Sequence, residues 1–331
     1  MKTSSIGDVI HTFPAVTDAA AAIPDLQVDW VVEEALAPIP SWHPAVENTL
    51  PIGFRRWRRR PLAGIASGAL GRYRAGLRRQ RYDLVLDAQG LMKSAAIARM
   101  APGPRHGFDM ASVREKAAPL AYSHRHSVPR DLHAIERLRR LFAGALGYDQ
   151  PSTEVDYGLD RNRLPPSGLD GNYLIALHGT QWVSKQWPAL RWRALIERAR
   201  SAGLTVALPA LGEDETARAQ EVVEGFDNAV ILPPQDLSQI AGTLAGAAGV
   251  VAVDTGFAHL AAALGTPCVT LYGPTSPLLT GTVGRNQAHV VSPARSGPKA
   301  DRRNKDQPST TMADLDVDGV WQALASVADI Q

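Results

Sequence analysis

The sequence predicts an α/β protein built as two doubly wound, Rossmann-like domains facing across a cleft. Three observations carry this. At 331 residues the chain is too long for one comfortable core and suits two domains of roughly 150 residues each. Short β-rich runs, apolar on both faces, alternate with amphipathic stretches of about 10 to 15 residues, the pattern of parallel strands covered by helices on both sides. The alternation breaks at LDRNRLPPSGLDGN (159–172), rich in Pro, Gly and Asp without periodicity, which reads as a linker. The expected division is residues 1–160, residues 161–311, and a last helical segment, 312–331, free to pack back on the first domain.

In the first half the candidate strands are VDWVVEE (28–34) and YDLVLDAQ (82–89). In the second they are YLIAL (173–177), TVALPA (205–210), AVILPP (229–234), GVVAVD (249–254) and CVTLYG (268–273). Helices are expected over 9–22, 188–202, 213–224, 237–246 and 312–328. The last opens near Thr310 or Thr311, whose hydroxyls suit helix caps. Residues 294–310 are polar and loop-like. The richest apolar stretch, 240–253, is interrupted by Thr243 and glycines. It reads as a buried helix running into a strand, and no segment reaches the ~18 apolar residues of a membrane span.

KTSSIGDVIHTFPAV (2–16) has the small residues and helical rhythm of a strand-to-helix turn, yet only Met1 precedes it. A parallel sheet around 28–34 and 82–89 needs a central strand there, so an apolar strand of about five or six residues is expected ahead of Lys2. Asp8 and His11 interrupt what a signal peptide would need to keep apolar. Cys268 is the only cysteine, which excludes an internal disulfide framework and a cysteine metal cluster, and fits a reducing cytoplasm.

The net charge of +2 decides little, but its distribution does. Arg55, Arg56, Arg58, Arg59 and Arg60 surround Trp57, and Arg72, Arg74, Arg78, Arg79 and Arg81 follow. Such a face attracts polyanions: nucleic acid, anionic lipid or a phosphorylated substrate. No GxGxxG follows a strand, so a dinucleotide fingerprint is missing. No HExxH or comparable ligand spacing appears, and HRH (124–126) reads as basic surface. What remains is a set of loops at strand ends. YLIAL runs into HGTQWVSKQWP (178–188), which offers backbone N–H groups, the Thr180 hydroxyl and the Lys185 ammonium to a phosphate; a surface lysine in a loop is the plain alternative. GVVAV ends in DTGFAHL (254–260), where Asp254 and Thr255 can cap a helix whose N-terminus points at a ligand. A plain cap accounts for them equally well.

KTSSIGDVIHTFPAV, DWVVEE, PSWHPAV (40–46), RRWRR, DAQGLMKSA (87–95), KQWP, VDTGFAHLAAALGTP and LYGPTSP stand in this order. Over essentially the whole chain they resemble the family 9 glycosyltransferases. DWVVEE, PSWH, RRWRR and DAQGLMKSA match the branch adding the first heptose to the lipopolysaccharide inner core. The resemblance implies the GT-B fold, with a strand directly before the KTSS turn. It implies an inverting transfer from ADP-L-glycero-β-D-manno-heptose, held by the second domain, to Kdo2-lipid A, held by the first, with no metal and no cofactor. Asp8 is the implied base. Thr180, Lys185 and the helix N-terminus at Thr255 and Gly256 would face the leaving diphosphate, with His259 nearby. Glu215 would bond the ribose hydroxyls, and Asp254 the heptose. Gln181 replaces the second of two hydroxyl residues usual in that loop, so its contact is the weaker one. The arginines 55–60 and Arg114 would meet Kdo carboxylates and lipid A phosphates, with Lys93 assisting. A monomer peripheral to the cytoplasmic face of the inner membrane follows, with no nucleic-acid partner. The competing readings are a family 9 heptosyltransferase acting later on the core, and a non-catalytic polyanion binder.

Overall fold

The computed structural model describes residues 1–59, 68–294 and 305–330. The chain divides into two compact units, Met1–Leu159 and Asp160–Gln331.

The first unit runs α1 (Ile6–Ile10), α2 (Phe13–Ala22), β1 (Val28–Glu33), β2 (Val46–Ile52), α3 (Phe54–Arg59), α4 (Ala69–Leu77), β3 (Val85–Asp87), α5 (Met92–Ala98), β4 (Arg105–Phe108), β5 (His124–His126) and α6 (Ala134–Leu146). β1 pairs with β2, and β3, β4 and β5 form a second group, all parallel. Residues 1–3 bridge the two groups. On one side the Met1 ammonium donates to the Leu86 carbonyl at 2.6 Å and the Ala88 N–H to the Met1 carbonyl at 3.1 Å. On the other, the Lys2 N–H donates to Val31 and the Glu33 N–H to Thr3, at 3.3 and 3.0 Å. Bonds on both sides give residues 1–3 the pairing pattern of an inner strand, though they do not themselves form a regular one. A small cavity of about 50 Å³ opens beside them, lined by Met1, Val31, Leu50, Leu77, Leu86 and Ala101 among others.

The helix expected over 9–22 is two helices. Pro14 has no N–H, and its ring clashes with a carbonyl four residues back in a continuous helix; in the first turn of α2 it costs nothing. A buried ion pair joins α2 to α6: Arg139 donates to Asp18 at 2.6 and 3.2 Å. The HRH segment is the short strand β5, with His124 and Arg125 exposed as expected of a basic surface. His106 stacks on His124 and His126, and burial with those neighbouring imidazoles pushes His106 down to about 4.

The second unit runs β6 (Tyr173–Leu177), α7 (Ala189–Ser201), β7 (Thr205–Leu208), α8 (Glu213–Val223), β8 (Ala229–Ile231), α9 (Leu237–Ala245), β9 (Gly249–Val253), α10 (Gly256–Ala263), β10 (Cys268–Tyr272), α11 (Pro277–Thr280), β11 (Gln287–Val291), α12 (Thr310–Ala313) and α13 (Val317–Ala325). Its parallel sheet has the order β11-β10-β9-β6-β7-β8. Chain order reverses between β6 and β9, the switch point at which such sheets bind ligands beyond the strand C-termini. Every residue of β6, β9 and β10 is buried, as expected of strands covered on both faces.

The last helix differs from expectation in two ways. It is broken into α12 and α13; Asp316, whose carboxylate accepts from the Gly319 N–H at 2.7 Å, caps the second piece. Thr310 and Thr311 lie inside α12, and Ser309 holds its cap position. α13 packs within the second unit. Val320, Trp321 and Leu324 bury in the core of the second unit with Trp187 and Trp192, because an apolar helical stripe is stabilised where it leaves water.

Candidate active site

In the first unit the site is the KTSS turn and the loop after β3. Asp8 sits in the first turn of α1, where its Oδ2 accepts from the Ser5 N–H at 3.0 Å and the Ser5 hydroxyl at 3.3 Å. The Lys2 ammonium stands 3.3 Å from Oδ1. Burial pushes the Asp8 carboxyl up, but Lys2 and the Ser5 donors outweigh it and hold the group below the usual carboxylate range. Its side chain remains 45% exposed, so one edge is open to a substrate hydroxyl. Gln89 ties the turn to β3, its amide oxygen accepting from the Thr3 and Ser4 N–H groups at 2.9 and 3.3 Å. Lys93 reaches the same turn, donating to the Ser4 hydroxyl at 3.3 Å, and lies over the Phe54 ring.

Asp87 anchors this loop. Fully buried, it accepts from the Gln89 and Gly90 N–H groups at 2.9 and 3.1 Å, the Ser94 hydroxyl at 2.8 Å and the Tyr122 phenol at 2.6 Å. Removing the acceptor strands buried donors, each worth about 1–3 kcal/mol and not additive. Asp87→Ala is therefore expected to lower stability by roughly 3–4 kcal/mol, read as a lower urea midpoint at unchanged slope.

Among the arginines, Arg56 is paired with Glu34 at 2.8 Å, and the Arg55 backbone N–H donates to Glu33 at 3.0 Å. Arg114 is exposed. Arg60 lies outside the described residues, as do the side chains of Arg58 and Arg59.

In the second unit the loops after β6 and β9 meet. Lys185 and Asp254, far apart in sequence, form an ion pair at 2.7 Å with side chains only 16% and 17% exposed. The ammonium also sits 4.6 Å from the centre of the Trp182 ring, a cation–π contact that gives this apolar departure from the family loop a role. Thr180 accepts from the Trp182 N–H at 3.5 Å, and Gln181 is exposed. Glu215, in the first turn of α8, accepts from the Leu211 N–H at 2.9 Å. Its carboxylate lies so close to Gly179 that a β-carbon there would stand 2.6 Å from Oε1, so glycine is what lets α8 approach this loop. Thr255 holds the cap position of α10, but its hydroxyl makes no cap bond, and Asp254 is taken by Lys185. Gly256 begins the helix, and His259 is buried one turn in. The hydroxyls of Ser184 and Thr275, on the loops after β6 and β10, are buried without a partner.

Sequence reasoning missed Lys2, Gln89 and Asp87 as parts of the site. All three were visible only as members of the KTSS and DAQG segments, whose meeting is a property of the sheet.

The geometry is that of a polar strand-end site on a doubly wound sheet, and comparison gives its class. Residues 70–309 match the model of glycosyltransferase family 9 (heptosyltransferase). The chain belongs to that family and is a glycosyltransferase with the GT-B fold. More particularly, it is 48% identical over 293 residues to lipopolysaccharide heptosyltransferase 1 of Pseudomonas aeruginosa, covering 88% of this chain and 82% of that protein. The structure of the E. coli heptosyltransferase WaaC with ADP superposes with a TM-score of 0.87 at 41% identity, covering 99% and 98% of the two chains. The same enzyme with ADP-2-deoxy-2-fluoro heptose gives 0.86 at 41% identity, with the same coverage.

Proposed function

We propose that the chain moves L-glycero-D-manno-heptose from ADP-heptose to the Kdo of Kdo2-lipid A, in lipopolysaccharide inner-core synthesis. The observation that carries this is 48% identity across 88% of the chain to a heptosyltransferase 1, supported by the likeness to a structure holding an ADP-heptose analogue.

Residues 161–311 form the donor domain in this reading, and residues 1–160 the acceptor domain. A Kdo hydroxyl attacks the anomeric carbon opposite ADP; the carbon–oxygen bond to the diphosphate breaks, and Asp8 takes the hydroxyl proton. Lys185, Thr180 and the N-terminus of α10 at Thr255 and Gly256 stabilise the charge left on the diphosphate, with His259 beside them. No metal cofactor is assigned to this task. Asp254, repelled by phosphate, takes heptose hydroxyls, and its bond to Lys185 keeps both groups in place until the donor shares them. Glu215 takes the ribose diol, and Gln181 is peripheral. Kdo carboxylates and lipid A phosphates meet Arg55, Arg56, Arg58, Arg59, Arg60 and Arg114, with Lys93 at the KTSS turn.

The test is acceptor choice. With ADP-heptose, the mass of Kdo2-lipid A should rise by one heptose, and an already heptosylated core should not react. The reverse preference would assign the chain to a later step.

A lipid acceptor calls for peripheral binding to the inner membrane's cytoplasmic face. Residues 48–82 contain ten arginines and no Asp or Glu. Arg72, Arg74, Arg78, Arg79 and Arg81 are all exposed. At about 1 kcal/mol per basic residue near an anionic surface, replacing these five by Gln should cut sedimentation with phosphatidylglycerol vesicles more than tenfold. Binding should also weaken with salt; equal binding to phosphatidylcholine vesicles would refute it.

A further inference from the structure

Lys2 is the charged residue of the KTSS turn that the proposed chemistry leaves unused. Its side chain is only 9% exposed, and a buried ammonium persists only where its charge and donors are matched. Two groups do this: the Ala88 carbonyl at the end of β3, 3.2 Å away, and Asp8 Oδ1 at 3.3 Å. The Lys2 backbone is itself pinned, its N–H donating to Val31 and its carbonyl accepting from the Trp30 indole at 3.0 Å. The ammonium is therefore fixed to the sheet rather than to the short helix α1 that carries Asp8.

We infer that Lys2 is a positioning residue, clamping the Asp8 carboxylate against the sheet so that its open edge receives the acceptor's proton. This rests on the reading of Asp8 as the base. With Oδ2 held by Ser5 beside α1 and Oδ1 by the sheet-anchored Lys2, neither oxygen is free to rotate away. The other charged group at the turn is Lys93, which donates to Ser4. Its charge acts in the same direction as that of Lys2 but without contact to Asp8 among the described bonds. A clamp made by a cation has a consequence that a purely structural lysine lacks. It keeps Asp8 ionised to lower pH, and a base must be ionised to accept a proton.

The test is the pH profile of kcat/KM for the parent, Lys2→Gln, Lys2→Met and Lys2→Arg, with Asp8→Asn run alongside. An opposite charge at this range lowers a carboxyl by about 1–3 units. Gln and Met should therefore move the acid limb upward by roughly one unit or more and lower kcat, with KM for ADP-heptose unchanged. Arg should restore the parental limb. Folded Gln and Met variants that keep the parental acid limb would overturn the inference. If one neutral variant fails to fold by circular dichroism, the other decides. Asp8→Asn separates the two readings: parental activity there sinks the base assignment itself, whereas its inactivity with an unmoved limb in the Lys2 variants sinks only the clamp.

Discussion

Asp8→Asn should lower kcat about 10²–10⁴-fold, the usual contribution of a positioned general base, while the protein stays folded and binds ADP-heptose as before. In the proposed reaction the acceptor hydroxyl is a weak nucleophile that becomes acidic only as its bond to the anomeric carbon forms, so the proton must have somewhere to go in the transition state. Asp8 is half exposed, held at both oxygens, and kept below the usual carboxylate range by Lys2 and Ser5 against the upward push of burial. With the pKa depressed on folding, the linked stability is present at neutral pH and is lost as pH falls through the folded-state value. Activity should decline over the same acid range. Asparagine keeps the shape and an acceptor oxygen for Ser5, but it cannot take the proton. Steady-state kinetics with calorimetric titration of ADP-heptose separates the two effects.

Lys185→Met should have the second largest effect, roughly 10²–10³-fold in kcat/KM, as for loss of a group that stabilises developing negative charge. Here donor binding should weaken too, because in the proposed mechanism the ammonium serves the diphosphate before as well as during departure. The variant also leaves Asp254 largely buried without its partner. Breaking a fully buried pair costs about 3–5 kcal/mol, but both side chains retain some contact with water, so a loss of roughly 1–2 kcal/mol is expected. Thermal unfolding without donor reads that term, and calorimetry reads the lost affinity. A variant with parental affinity and turnover would remove Lys185 from the donor site.

What the sequence discloses depends on where each residue lies in its sheet. β6, β9 and β10 are central and apolar on both faces, so runs such as YLIAL and GVVAV identify them without ambiguity. β2 and β11 were not legible: VENTLPI carries Glu47, Asn48 and Pro51, and QAHVV is only half buried. β4 and β5 are four and three residues long, too short to show a period of two. The break between α1 and α2 could have been read from Pro14.

For the site, strand-end loops were legible because they combine small residues, a hydroxyl and a charge directly after an apolar run. Pairing between loops was not. Lys185 and Asp254 were each given a separate part of the donor, and only the adjacency of β6 and β9 reveals that they hold one another. Likewise the Lys2–Asp8 clamp and the Gln89 tie need the meeting of the KTSS turn with the end of β3.

The most direct measurement is the mass of Kdo2-lipid A after incubation with ADP-heptose in EDTA, comparing the parent with Asp8→Asn at equal donor saturation. One added heptose and one equivalent of ADP are expected with the parent, and almost no product with the variant over the same interval. A parent that releases ADP without heptosylating the acceptor, or an Asp8→Asn variant that turns over at the parental rate, would contradict the proposed mechanism.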